Sequence, residues 1–266
     1  ERFKIFLSLI RFIPPVDGKR VYSIAPCCVD ESFFQDAKTT GVGKCIAEND
    51  QFVIIVIVEA VQEIPDEGVL RCADILLSDV GFNILDGEGI LGLEAACATL
   101  TEPGDKVLVI ENGVYGEGFA DFVTMYGGNP EFFHGDRLHE INVADLADYL
   151  KEHHDYKYAT VVHCDTPSGM LNPVDKICPL LKEYGILTVV DSVSGMFGNE
   201  MNVDEYQIDL LCGGSQKAVS APPGLTFVTI SDDAKKAMHE RTSPVRSFYA
   251  NLLAFDGYYE KKWFPY

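Results

Sequence analysis

Lys217 stands in the stretch GGSQKAVSAPPG, residues 213–224, directly after the apolar run Ile208-Asp209-Leu210-Leu211-Cys212. A lysine amine held in a pocket can condense with an aldehyde or carry a proton, whereas most lysines are solvated surface charges and do neither. Three other stretches bear on which role applies. Asp86-Gly87-Glu88-Gly89-Ile90 leads into the helix-prone LGLEAACATL; glycines at a strand-to-helix turn let backbone N–H groups and the helix dipole close on an anion such as phosphate. A plain tight turn is the commoner role of such glycines, and Glu88 would repel a phosphate unless its side chain turns away. Tyr115, in Glu111-Asn112-Gly113-Val114-Tyr115-Gly116, has small neighbours that leave its ring free to cover a planar ligand; an ordinary half-buried tyrosine is the alternative. Asp191 closes the apolar run 186–190 and is either a turn cap or an acid facing a protonated group.

Each of these signals is weak alone, and a scaffold must bring them together. From about residue 82 onward, short β-rich runs at 82–85, 106–110, 158–164, 186–190, 208–212 and 225–230 alternate with longer helical ones. That alternation predicts an α/β fold, a mainly parallel sheet with helices on both faces, whose ligands lie beyond the carboxyl ends of the strands. Asn172 with Pro173 predicts an N-cap and first-turn proline for PVDKICPLLKEY, which Gly185 can close despite Pro179. Asn142 and Ser231 offer similar caps for VADLADYLKEH and DDAKKAMHE. Residues 1–80 are less regular and define no clear element. The aromatic-rich end SFYANLLAFDGYYEKKWFPY reads as a helix packed on the domain or on a second subunit.

With 266 residues, 47% of them apolar, the chain can bury a large core as one α/β domain or a domain and a half. A net charge of −20 argues against nucleic-acid or anionic-membrane partners, which require a basic face. The eight cysteines at 27, 28, 45, 72, 97, 164, 178 and 212 form no Cys-x-x-Cys pair and have no histidines at metal spacing. They read as thiols in a reducing compartment, with no metal site, so the cytoplasm is expected, an organellar address staying open because both ends look incomplete. The longest apolar run, 52–58, is too short to cross a bilayer. The opening ERFKIFLSLIRFIPP has a signal-peptide flavour that Arg11 interrupts, and no initiator methionine precedes it. The chain is expected to begin inside a longer reading frame.

Taken together, a glycine turn for phosphate, an aromatic ring, an acid for a pyridinium and a lysine for an aldehyde are the complement of pyridoxal 5′-phosphate. Three stretches then resemble the class V, fold-type I aminotransferases of the alanine–glyoxylate and serine–pyruvate type. They are GEGILGLEAACATLTEPGDKVLVIENGVYGEGFADFVTMYGG, VVHCDTPSGMLNPVDKICPLLKEYGILTVVDSVSGMFG and IDLLCGGSQKAVSAPPGLTFVTIS. The resemblance covers residues 82 to about 260 and is weak over residues 1–80.

The resemblance implies that Lys217 forms the internal Schiff base and that Asp191 keeps the pyridine nitrogen protonated. Val193 would lie beneath the ring and Tyr115 above it. Gly87, Glu88, Gly89 and Ile90 match the phosphate turn, with Glu88 where the family more often has a small hydroxyl residue. Thr166 and Ser168 match the hydroxyl-bearing loop near the cofactor, and Gln216 the glutamine beside the lysine. The implied activity transfers an amino group from alanine or serine to glyoxylate or pyruvate in a homodimer. Other class V chemistry stays open, such as 2-aminoethylphosphonate–pyruvate transamination, a lyase or a desulfurase, as does a non-catalytic cofactor-binding paralogue. The resemblance divides the chain into an N-terminal segment, 1–80, with a dimer-contacting arm and the start of the large domain, and a cofactor-binding large domain, 81–266. The family's smaller C-terminal domain, with its carboxylate-binding arginine, would follow Tyr266.

Overall fold

The structure, a computed structural model, describes residues 7–16, 19–25, 53–56 and 81–256, with side chains from residue 83 onward. The chain divides into two units, Glu1–Ile64 and Pro65–Tyr266. In the first, where the sequence pattern defines no element, β1 (Leu7–Val16) pairs antiparallel with β2 (Lys19–Ala25) and β3 (Val53–Val56) in the order β2-β1-β3.

The second unit is built on a seven-stranded sheet. Its strands are β4 (Gly81–Asp86), β5 (Lys106–Glu111), β6 (Asn129–His134), β7 (Tyr158–Val162), β10 (Leu187–Asp191), β11 (Leu210–Gly214) and β12 (Leu225–Ile230), in the order β4-β12-β11-β10-β7-β5-β6. Neighbours from β11 to β6 pair in parallel, and β12 runs against both β11 and β4. A mainly parallel sheet is therefore present as the alternation predicts. Strand β6, NPEFFH, escapes the sequence pattern because it is an edge strand with Asn129 and Pro130 at its start, where proline costs no ladder bond. The expected strand 158–164 splits: β7 ends at Val162, and β8 (Cys164–Asp165) turns off to pair with β9 (Met170–Leu171).

Among the described residues five helices accompany the sheet: α1 (Gly89–Leu100), α2 (Val114–Met125), α3 (Val143–Leu150) and α4 (Val174–Glu183) between strands, and α5 (Asp232–His239) after β12. Helix α1 is apolar nearly all round, with Ala95, Ala96, Cys97, Ala98 and Leu100 at zero exposure, because it lies between the sheet and further layers of the core. The caps of α3 and α5 form as expected, with Asn142 accepting from Ala144 and Asp145 and Ser231 from Ala234. Helix α4 differs. Its N-cap is Pro173, and the buried Asn172 instead exchanges two amide hydrogen bonds with Asn112 at 2.9 and 3.0 Å, which satisfies both side chains away from water.

Near the C-terminal end, Leu252–Phe255 form a short 3-10 turn whose Leu252 N–H reaches Thr99 Oγ1, in place of the expected helix. Residues 257–266, like Cys27, Cys28, Cys45 and Cys72 and the expected arm, lie outside the described residues. Cys97, Cys178 and Cys212 are buried free thiols and Cys164 is half-buried. Among the described residues no helix is long and apolar enough to cross a membrane.

Candidate active site

Five loops at the carboxyl edge of the parallel strands carry the residues singled out by sequence. Gly87–Ile90 follow β4, Tyr115 opens α2 after β5, Thr166 and Ser168 follow β8, Asp191 and Val193 end β10, and Gln216 and Lys217 follow β11. Contacts tie these loops together. A Cβ on Gly89 would stand 2.6 and 2.8 Å from the two Val193 methyls, and one on Gly214 would stand 3.2 Å from the Gly89 Cα. Only glycines allow the turn after β4 to close this tightly on the loops after β10 and β11. Gly113 likewise lies against the Asp165 carboxyl, 3.0 Å from where its Cβ would be, which brings the Tyr115 turn beside the Thr166 loop.

The loop bearing Lys217 is stapled at both ends. Ser215 Oγ donates to Pro222 O at 2.7 Å, Ala221 N–H to Ser215 O at 3.0 Å, and Ser220 N–H to Lys217 O at 2.8 Å, with Ser220 at φ +59°. Its partly exposed ammonium donates to Thr166 Oγ1 at 3.4 Å, and Thr166 in turn hydrogen-bonds Ser194 Oγ.

Asp191 is 7% exposed, and its Oδ1 accepts the Val193 N–H at 2.9 Å. Burial pushes its carboxyl up to about 6; the Val193 bond and the Lys217 charge act against burial, while Asp165 adds to it. A carboxylate in that position is stabilised by a cation brought next to it. Behind it, His163 N–H donates to Asp191 O at 2.8 Å and the His163 ring bonds Ser192 Oγ at 2.9 Å, burial pushing the imidazole down to about 4.

Ser168 does not point its hydroxyl across the site. It folds back onto Asp165 Oδ2, through Oγ at 2.7 Å and N–H at 3.2 Å. Tyr115 is 48% exposed in the first turn of α2, and Ile90 is 57% exposed beside Glu88. Glu88 is the N-cap of α1, exposed, and its carboxylate makes no capping bond. Three buried side-chain oxygens at this edge have no hydrogen-bond partner: Gln216 Oε1, Asp165 Oδ1 and Glu111 Oε2, the last with the Arg137 guanidinium 4.0 Å away. Sequence reasoning missed Ser194, Asp165 and His163; the one signal that could have found them is their place within three residues of a strand end.

The sequence pattern of the family Aminotransferase class-V matches residues 91–246. The chain belongs to the class-V aminotransferases. Members of this family depend on pyridoxal 5′-phosphate, and the fold is the fold-type I of such transferases. The chain is 34% identical over 184 residues to a pyridoxamine–pyruvate transaminase of Mesorhizobium japonicum, covering 69% of this chain and 47% of that one. It is 33% identical over 180 residues to an alanine–glyoxylate aminotransferase of Callithrix jacchus, covering 65% and 43%. The crystal structure of pyridoxamine–pyruvate aminotransferase from Mesorhizobium loti superimposes with a TM-score of 0.68 at 32% identity, over 75% of this chain and 51% of that one. The chain thus spans under half the length of these two curated relatives.

The donor set fits the family's cofactor. A buried acid with an elevated pKa suits a ring nitrogen, the orphaned Gln216 and Asp165 oxygens seek donors, and the glycine contacts draw the turn after β4 against the Asp191 and Lys217 loops. Glu88 is the exception, a carboxylate placed where a phosphate would need positive potential.

Proposed function

We propose that this chain carries the cofactor-binding part of a transaminase that passes an amino group from alanine or serine to a small 2-oxo acid, glyoxylate or pyruvate. One observation carries the reading: Lys217 Nζ and the buried Asp191 carboxylate share a single edge of the sheet, close enough for the lysine charge to act on the acid. Pyridoxal 5′-phosphate supplies, when bound, an aldehyde for amines and a ring that accepts the charge left on Cα when its proton departs.

The chain's own residues do the rest. Lys217 would hold the cofactor through its amine and, once freed, would carry the proton from the substrate Cα to the cofactor's C4′ carbon. Asp191 holds a proton on the ring nitrogen, with the Val193 N–H fixing the orientation of Oδ1. Val193 supports one face of the ring and Tyr115 covers the other. Thr166 steadies the lysine amine, and the first N–H groups of α1 receive the phosphate together with Gly87, Gly89 and Ile90. Gln216 supplies an acceptor beside Lys217, and Ser168 braces Asp165 under the loop. A second copy of the chain, contacting through residues 1–80, would complete the site as a homodimer.

Glu88 favours a second reading in which the amino donor is pyridoxamine, a pyridine that lacks the phosphate an exposed carboxylate would repel. The two readings separate in one titration. Protein loaded with pyridoxal 5′-phosphate should lose its visible absorbance band on adding L-alanine or L-serine under the first. Under the second, neither amino acid changes the spectrum, and pyridoxamine with pyruvate yields alanine. If none of these donors is consumed, both readings are rejected.

A further inference from the structure

Three loops meet through hydroxyl groups at the lysine. Lys217 Nζ reaches Thr166 Oγ1, and Thr166 Oγ1 bonds Ser194 Oγ, although the three residues belong to turns after β11, β8 and β10. We propose that Ser194 is a positioning residue that fixes the Thr166 hydroxyl as a hydrogen-bond acceptor toward Lys217, an inference that rests on the reading of Lys217 as the cofactor lysine.

A threonine hydroxyl has one hydrogen to give and two lone pairs to receive with. A protonated Lys217 nitrogen, free or linked to the cofactor, has only hydrogen to give, so in the Lys217 contact Thr166 must accept. Its own hydrogen must then go elsewhere, and Ser194 Oγ is the partner the structure provides. Donation to Ser194 polarises the threonine oxygen and strengthens the bond it accepts from the lysine. Remove the serine hydroxyl, and the Thr166 hydrogen is free to rotate toward the nitrogen, where it favours the unprotonated form. Asx or Ser caps are the usual role of a serine three residues past a strand end, but the hydroxyl contact of Ser194 runs across the site to a residue 28 positions away.

Asp191 senses the Lys217 charge and is itself acted on by Asp165. Neither is altered by the substitutions below.

The test follows the pH titration of the visible absorbance band in protein loaded with pyridoxal 5′-phosphate, a property of the lysine–cofactor linkage that needs no turnover. Ser194→Ala should move the midpoint down by about half a pH unit, a factor of about three in proton affinity, as expected for one hydrogen bond. Ser194→Thr, which keeps the hydroxyl, should titrate with the wild type. Thr166→Val should shift the midpoint at least as far, and adding Ser194→Ala to it should shift it no further. Should Ser194→Ala fail to fold, Ser194→Cys carries the same expectation, because a thiol is a poor acceptor. Curves for Ser194→Ala and wild type that superimpose overturn the inference, as does a double variant whose shift is the sum of the two singles. Absence of any band in the wild type overturns both the inference and the cofactor reading beneath it, whereas a band that ignores Ser194 overturns the inference alone.

Discussion

Two buried aspartates sit at opposite ends of the same sheet and are treated in opposite ways. Asp209, at the amino end of β11 and 1% exposed, is fully provided for. Its Oδ2 accepts from the Thr188 N–H at 2.9 Å, and its Oδ1 from Lys182 Nζ at 2.7 Å and Ser231 Oγ at 2.6 Å. Asp191, at the carboxyl end of β10, has the Val193 N–H and the more distant charge of Lys217, and three buried oxygens at that edge, on Gln216, Asp165 and Glu111, have no hydrogen-bond partner. A fold able to satisfy one buried carboxylate so completely has no general difficulty in doing so. The incomplete end is the one where something else is meant to bind.

Breaking the satisfied end should have the largest effect on stability. Asp209→Ala leaves Lys182 with the exposed Asp233 alone and strips the buried Thr188 N–H and the Ser231 hydroxyl of their acceptor, and should cost about 3 kcal/mol in urea unfolding. The same kind of change at the other end should have the opposite sign. Asp191→Asn should stabilise the cofactor-free chain by about 2 kcal/mol at pH 7, since the folded carboxyl near 6 lies above its usual 3.8 and ionising it works against folding. That gain should shrink as pH falls from 6 and vanish only well below 3.8, where both folded and unfolded carboxyls are protonated, and with the cofactor present the variant should bind it more weakly.

His163 titrates the other way at the same end. Its folded pKa of about 4 lies below the usual 6.5, so the stability linked to the neutral ring is present above pH 6.5 and is lost as pH falls toward 4. In that window the wild type should lose about 2 kcal/mol through His163, a loss partly masked by Asp191. A pH series on Asp191→Asn should therefore fall more steeply toward acid than the wild type. The smallest effect concerns close packing alone. Gly89→Ala should cost about 1 kcal/mol, and in a double-mutant cycle Val193→Ala should recover most of it, because the added methyl meets the Val193 side chain.

The contrast between the two ends also explains what was legible in the sequence. Apolar runs announced the central strands, and Asn142 and Ser231 announced their helices, because those signals are local. Edge strand β6 and helix α2, which contains Gly116 and Gly118, were hidden because tertiary packing overrides their weak propensities. Lys217, Asp191 and the glycine turn stood out by residue type beside strand ends. Ser194, Asp165 and His163 did not, since their importance lies in contacts between loops far apart in the chain. Asn172, read as a cap, was claimed by Asn112 sixty positions away, a pairing no local pattern reports.

The account stands or falls on Lys217. Wild-type protein mixed with pyridoxal 5′-phosphate, reduced with borohydride and digested, should carry the cofactor's added mass on the peptide containing Lys217, and the Lys217→Ala variant should carry none there or elsewhere. Label on another lysine, or label that persists in the variant, would contradict it.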